Sequence, residues 1–188
     1  MVARFSEWLQ AVSRGWIVLA ALVVFLLFAG LALPDQNRRA EAVAKGAGSP
    51  DTSFYYTPAD LYRMAETYGP LGRQAYVRAR YTFDVAWPIV YVVFLATAIS
   101  WVGGRALPAA SRWQRANIVP LLGGLFDYLE NVAASLVMLR YPSPTPVAAE
   151  LAPIFTMVKW LLIAAAFAFL LVACGVAVIR HIRRPSCR

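Results

Sequence analysis

Three carboxylates and one ammonium group interrupt long apolar stretches of the chain: Asp84, Asp127, Glu130 and Lys159. A charged group at the centre of a membrane helix costs about 2.5–3.5 kcal/mol on insertion scales, so such groups persist where they pair, bind a ligand or relay protons. Asp127 and Glu130 stand one helical turn apart and are the candidates for acid/base catalysis. At that spacing they can share a proton, hold a cation or pair in part with Lys159. Asp84, Tyr91, Tyr128, Asn131, Lys159 and Arg80 are the candidate ligand-binding residues. Arg80 lies one turn before Asp84, and the tyrosines and Asn131 supply hydrogen-bonding groups. Three carboxylates against Lys159 alone leave excess negative charge in an apolar layer, so Arg80, a proton, an ion or a ligand must complete the site.

Several chemistries lack their residues. The single histidine, His181, rules out a His-rich zinc site. There is no Gly-rich phosphate loop and no nucleophile elbow, and Ser135 has no histidine nearby in sequence to activate it. Asp84, Asp127, Glu130 and Asn131 form an all-oxygen set whose spacing is only weakly specific for a divalent ion. No metal is therefore assigned, and no cofactor can be named. The two cysteines, Cys174 and Cys187, fall in the last apolar run and the tail, so no disulfide framework exists. The net charge of +8 does not point to nucleic acid, because Arg105, Arg112, Arg115, Arg180, Arg183, Arg184 and Arg188 cluster in one loop and the tail. Attraction to anionic membrane lipids accounts for them.

These residues must be positioned by membrane helices. With 60% of residues hydrophobic and 15% charged, the chain reads as an all-α polytopic membrane protein, a four-transmembrane-helix bundle. The spans are placed at 16–34, 75–102, 117–140 and 150–179. The first is read as a retained anchor, since its apolar run exceeds a signal-peptide core. Segment 1–15 is an amphipathic stretch with Val2, Phe5, Trp8, Leu9 and Val12 at helical spacing. In the 35–73 loop, 35–53 is polar, rich in small residues and expected to be flexible. A short helix follows over 58–68, capped by Thr57 with Pro58 at its first position and stopped by Gly69-Pro70. Its stripe of Leu61, Met64, Ala65 and Tyr68 could serve as a lid or as packing. Loop 103–116 and tail 180–188 are basic, whereas 35–73 balances five acids with five bases and turn 141–149 carries no charge. Both termini are thus expected in the cytoplasm of a bacterial-type inner or plasma membrane.

Helix rise, ~1.5 Å per residue, converts these spans into depths. Counted from Gln74, Asp84 falls about ten residues below the outer surface, level with Glu130 and Lys159, and Asp127 lies one turn deeper. Gly123, Gly124, Asp127, Glu130, Asn131 and Ala134 share a face of small and polar residues that admits close neighbours. The expected function is binding of a small or lipid-like ligand in the outer half of the bundle, with or without carboxylate catalysis. The alternative is a non-catalytic subunit of a larger membrane complex or homo-oligomer, in which Lys159, Glu130 and Asp84 form an interhelical lock. Membrane lipids are partners in either case.

Overall fold

The computed structural model describes residues 1–183, and Arg184, Cys187 and Arg188 lie outside the described residues. Among the described residues the chain is helical, with no strand. Four segments are long and apolar enough to cross a membrane: Gly15–Ala44, Pro58–Ala106, Arg112–Arg140 and Pro146–Ile182. Over the described residues the architecture is all-helical, and the four apolar helical segments, with charged residues buried among them, are those of a membrane protein by length and composition. Its helices are α1 (Val2–Val12), α2 (Gly15–Ala44), α3 (Pro58–Arg80), α4 (Phe83–Ala106), α5 (Val119–Arg140) and α6 (Pro146–Ile182). A 3-10 turn at Pro50–Thr52 and a 3-10 segment at Arg112–Ile118 lie in the connections.

The most consequential departure from the sequence reading is the length of α2. Pro34 does not end it: the helix continues to Ala44, through the first part of the polar stretch expected over 35–53, before Lys45 turns into the left-handed region at φ 49. A proline lacks an N–H and its ring crowds the carbonyl four residues back. Here the preceding residues Phe28–Ala32 widen into a π-helical turn, which absorbs both demands. Beyond Pro34, Asp35 accepts ion pairs from Arg39 at 2.8 Å and Arg38 at 3.6 Å. Exposed pairs of this kind add a few tenths of a kcal/mol. The extension carries Gln36, Asn37 and Ala40 up beside the loop that follows.

Helix α3 begins as its sequence implies. Asp60 N–H donates to Thr57 Oγ1 at 3.1 Å and Thr57 N–H to Asp60 Oδ2 at 2.9 Å, a reciprocal capping box. Gly69, at φ 67 and ψ 177, breaks the helical path where only glycine is unstrained, but the chain resumes helix at Pro70 and runs on to Arg80. The helix expected to stop at Tyr68 is therefore the first half of a kinked element. The span expected over 75–102 is cut by the Tyr81-Thr82 turn and starts afresh at Phe83. Asp84 consequently sits in the first turn of α4, not ten residues into a continuous helix. The stripe Leu61, Met64, Ala65 and Tyr68 is buried against Ala133, Ala134, Val137 and Met138 of α5 and Ala148, Ala149 and Ala152 of α6. This half of α3 is core, so the packing role replaces the lid.

The opposite end of the bundle is tied by a polar latch. Ser6 Oγ donates to Asn117 Oδ1 at 2.8 Å, while Asn117 Nδ2 donates to the Ser6 carbonyl at 3.1 Å and to Ser100 Oγ at 2.9 Å. Gln10 Nε2 adds a bond to the Gln114 carbonyl at 3.1 Å. Helix α1 thus docks through Ser6 and Leu9, leaving Phe5 and Trp8 exposed and stacked at 5.6 Å on the face suited to lipid. Asn117 is fully buried, and its removal strands one donor, the Ser6 hydroxyl, and two acceptors, the Ser6 carbonyl and Ser100 Oγ, at a cost of about 1–3 kcal/mol for an orphaned group. Asn117→Ala is expected to accelerate amide exchange across 2–12 while exchange in α5 and α6 stays slow. Unchanged protection of α1 would refute the latch.

Helices α4, α5 and α6 form the central packing unit, with α5 against α6 the most extensive interface. Small residues permit it. A Cβ on Gly124 would lie 2.8 Å from Val92 Cγ2, and one on Gly123 would lie 3.2 Å from Ile163 Cγ1. The glycine pair on α5 therefore faces α4 with one residue and α6 with the other, bringing Asp127 between both neighbours.

Candidate functional site

Lys159 of α6 is the first centre. Its Nζ donates to Asp127 Oδ1 at 3.3 Å and closes a tighter ion pair with Glu130 Oε2, both carboxylates belonging to α5. Tyr91 of α4 donates its hydroxyl to Asp127 Oδ2 at 2.9 Å. Asp127 therefore has a partner on each oxygen, from two different helices. Glu130 is wholly buried and contacts Lys159 only along one edge, leaving Oε1 without a hydrogen-bond donor.

Arg80, at the end of α3, is the second centre. Its Nη1 meets Asp51 Oδ2 in a close pair and Asp84 Oδ2 at 3.1 Å. Its guanidinium also stands 4.5 Å from the Tyr76 ring centroid, a cation–π distance. The Arg80–Asp84 pair bridges the turn between α3 and α4, so one arginine joins a loop and two helices. Asp84 Oδ2 meets Arg80 as an ion pair but lacks the geometry of a hydrogen bond.

The two centres border one cavity of about 320 Å³. Asp51, Arg80, Asp84, Asp127 and Lys159 line it together with the aromatic residues Phe25, Trp87, Tyr91, Trp160 and Phe167, and Lys159 Nζ stands 5.6 Å from the Trp160 ring centroid. Gln36, Asn37 and Ala40 from the extended α2 complete the wall, and Ser49 and Thr52 lie over it. A neighbouring groove of about 460 Å³ shares Gln36, Ala40, Ser49 and Arg80. Loop 45–57, not the Pro58–Tyr68 helix, is the segment that covers the cavity. Within that loop, Tyr56 turns inward and its hydroxyl accepts from Thr156 Oγ1 at 3.3 Å. Burial raises the Tyr56 hydroxyl above its ordinary range, so it stays protonated. Phe54 and Tyr55 remain exposed, as an interfacial aromatic belt requires.

The structure brings Asp84, Tyr91, Asp127, Lys159 and Arg80 to this cavity, with Glu130 behind Lys159. Two of the candidate ligand-binding residues lie apart from it. Tyr128 donates to the Val85 carbonyl at 2.8 Å and does not line the cavity. Asn131 is buried with neither side-chain polar atom partnered, yet it too is absent from the lining. The interhelical lock also differs from expectation: Asp84 pairs with Arg80, not with Lys159. No group of three His, Cys, Asp or Glu among the described residues is placed to hold a metal ion, so the all-oxygen set is not assembled as one.

Asp51 is the residue that sequence reasoning missed. It looked like one acid of a charge-balanced polar loop. The available signal was Pro50, which with Asp51 and Thr52 forms the 3-10 turn directed at the bundle. No protein-family model matches the chain, and no curated protein or solved structure matches it either. The functional reading therefore rests on the geometry of the site.

Proposed function

We propose that the protein binds a small amphipathic molecule in the cavity between Asp84, Trp87 and Lys159. The observation that carries this reading is the cavity itself. Charged and polar groups and aromatic rings line it together, and at about 320 Å³ it matches the ~300–1,000 Å³ typical of small-molecule sites. Asp127 and Glu130 are the residues that would carry proton-transfer chemistry, Asp127 at the cavity wall and Glu130 behind Lys159 with Oε1 free of donors. The basic residues Arg105, Arg112, Arg115, Arg180 and Arg183 support placing both termini in the cytoplasm of a bacterial-type inner or plasma membrane, with anionic lipid as their partner. On that orientation the cavity opens toward the outer side, beneath loop 45–57.

Ala40→Trp tests the proposal, because it fills the cavity wall without removing a charge. Native mass spectrometry of wild-type protein taken directly from membranes is expected to show a bound small molecule that Ala40→Trp lacks. Identical spectra for the two proteins would refute the binding site.

A second reading has a specific observation in its favour: both buried cations are paired to carboxylates on other elements. On this reading the charges only lock helices together, in a homo-oligomer or as a subunit of a larger membrane complex. Co-purification of the same larger complex with both wild-type protein and Ala40→Trp would favour it.

A further inference from the structure

We infer that the molecule bound is an organic cation, an ammonium head on an apolar body; this rests on the binding cavity proposed above. The first argument is charge. Four carboxylates, Asp51, Asp84, Asp127 and Glu130, meet two cations, Arg80 and Lys159, and each cation is already divided between two carboxylates. Asp51, Asp84 and Asp127 line the cavity with Arg80 and Lys159, so an anionic ligand would meet an excess of carboxylates, a neutral one would leave that excess to protons, and a cation pairs with it directly.

The second argument is an open acceptor. Asp84 lines the cavity and is about nine-tenths buried, and Arg80 Nη1, which also serves Asp51, meets it at Oδ2, leaving Oδ1 outside that ion pair. A further donor entering the cavity would supply it. An inorganic ion does not fit this role. The carboxylates are not gathered in the threes a metal needs, and the cavity holds a molecule's volume.

The third argument is the wall. Trp87 lies one turn beyond Asp84 on α4 and stands edge-on to Tyr91 at 5.8 Å and stacked on Phe25 at 5.8 Å. Aromatic faces attract a desolvated ammonium group held within ~6 Å of the ring centroid. Phe25, Trp87 and Tyr91 all line the cavity, so a head beside Asp84 lies next to aromatic rings and the apolar body meets an aromatic lining.

The test uses the full-length protein in nanodiscs of phosphatidylglycerol and three probes of similar size. Benzyltrimethylammonium is the cation, neopentylbenzene its neutral isostere, and phenylmethanesulfonate the anion. Binding is read as the tryptophan fluorescence change that wild type shows and Ala40→Trp does not. The cation is expected to bind at least tenfold more tightly than either other probe, with Asp84→Asn and, separately, Trp87→Leu each removing most of that preference. The two variants guard against a folding defect in one. Equal or better binding of the neutral or anionic probe overturns the cation assignment while leaving the cavity proposal intact. Signals from wild type and Ala40→Trp that coincide for all three probes overturn both. Repeating the titration at a fixed phosphatidylglycerol content, with the remaining lipid either phosphatidylethanolamine or an uncharged glycolipid, separates two sources of the same chemistry at equal surface charge: tenfold weaker binding in the phosphatidylethanolamine discs identifies a lipid head-group amine, and equal affinity identifies a free amine.

Discussion

Replacing Lys159 by Met is expected to destabilise the protein by about 3–5 kcal/mol, the range for breaking a buried ion pair by removing one partner. The side chain is 5% exposed and serves Asp127 and Glu130 together. Its loss leaves two carboxylates without a cation between α5 and α6, the most extensive helix interface in the bundle. Asp127 keeps the Tyr91 hydroxyl, but Glu130 keeps nothing. The triple change Lys159→Met, Asp127→Asn and Glu130→Gln is expected to recover most of the loss, because removing a buried charge cluster entirely is far less costly than orphaning its members. Reversible unfolding in mixed micelles measures both values. A single variant as stable as wild type, or a triple variant no better than the single one, would contradict the pairing.

Arg80→Leu is expected to produce the second large effect, again about 3–5 kcal/mol, with a different spatial signature. Arg80 is the joint between loop 45–57 and the start of α4 through Asp51 and Asp84, and it rests on the Tyr76 ring. Its loss should release the loop first. Amide exchange in 46–57 is expected to rise steeply while the α5 and α6 amides around Lys159 stay protected. Uniform loss of protection across both regions would show that Arg80 supports the bundle as a whole and not the cover of the cavity.

The helical character and the long apolar segments were legible from composition and run length, because a backbone in hydrocarbon has few ways to satisfy its hydrogen bonds. The pairing of Arg80 with Asp84 was also legible. The two are four residues apart, and that spacing survives the turn at Tyr81-Thr82. What could not be read was the path of the chain between spans. Pro34 signals a helix end by local rules, and the π-helical turn that carries the chain past it depends on packing of the preceding residues. Gly69-Pro70 does mark a break, but local sequence does not say whether helix resumes beyond it. These two points decide the site, since α2 residues 36–40 and Asp51 supply the wall and cover of the cavity. Asn131 shares the polar face of α5 with Asp127 in sequence but lies one turn along the helix from the cavity lining, and Tyr128, the residue after Asp127, is turned about 100° around α5 and meets the Val85 carbonyl.

The most direct test of the account is a high-resolution structure of the protein prepared in native membrane lipid, inspected between Asp84, Trp87 and Lys159. The account predicts density for a bound organic molecule there, its polar end beside Asp84 and its body against Trp87 and Phe25. A cavity closed by Phe25 and Trp87 settling onto Lys159, or one that is empty at a resolution that shows ordered water elsewhere, would contradict it.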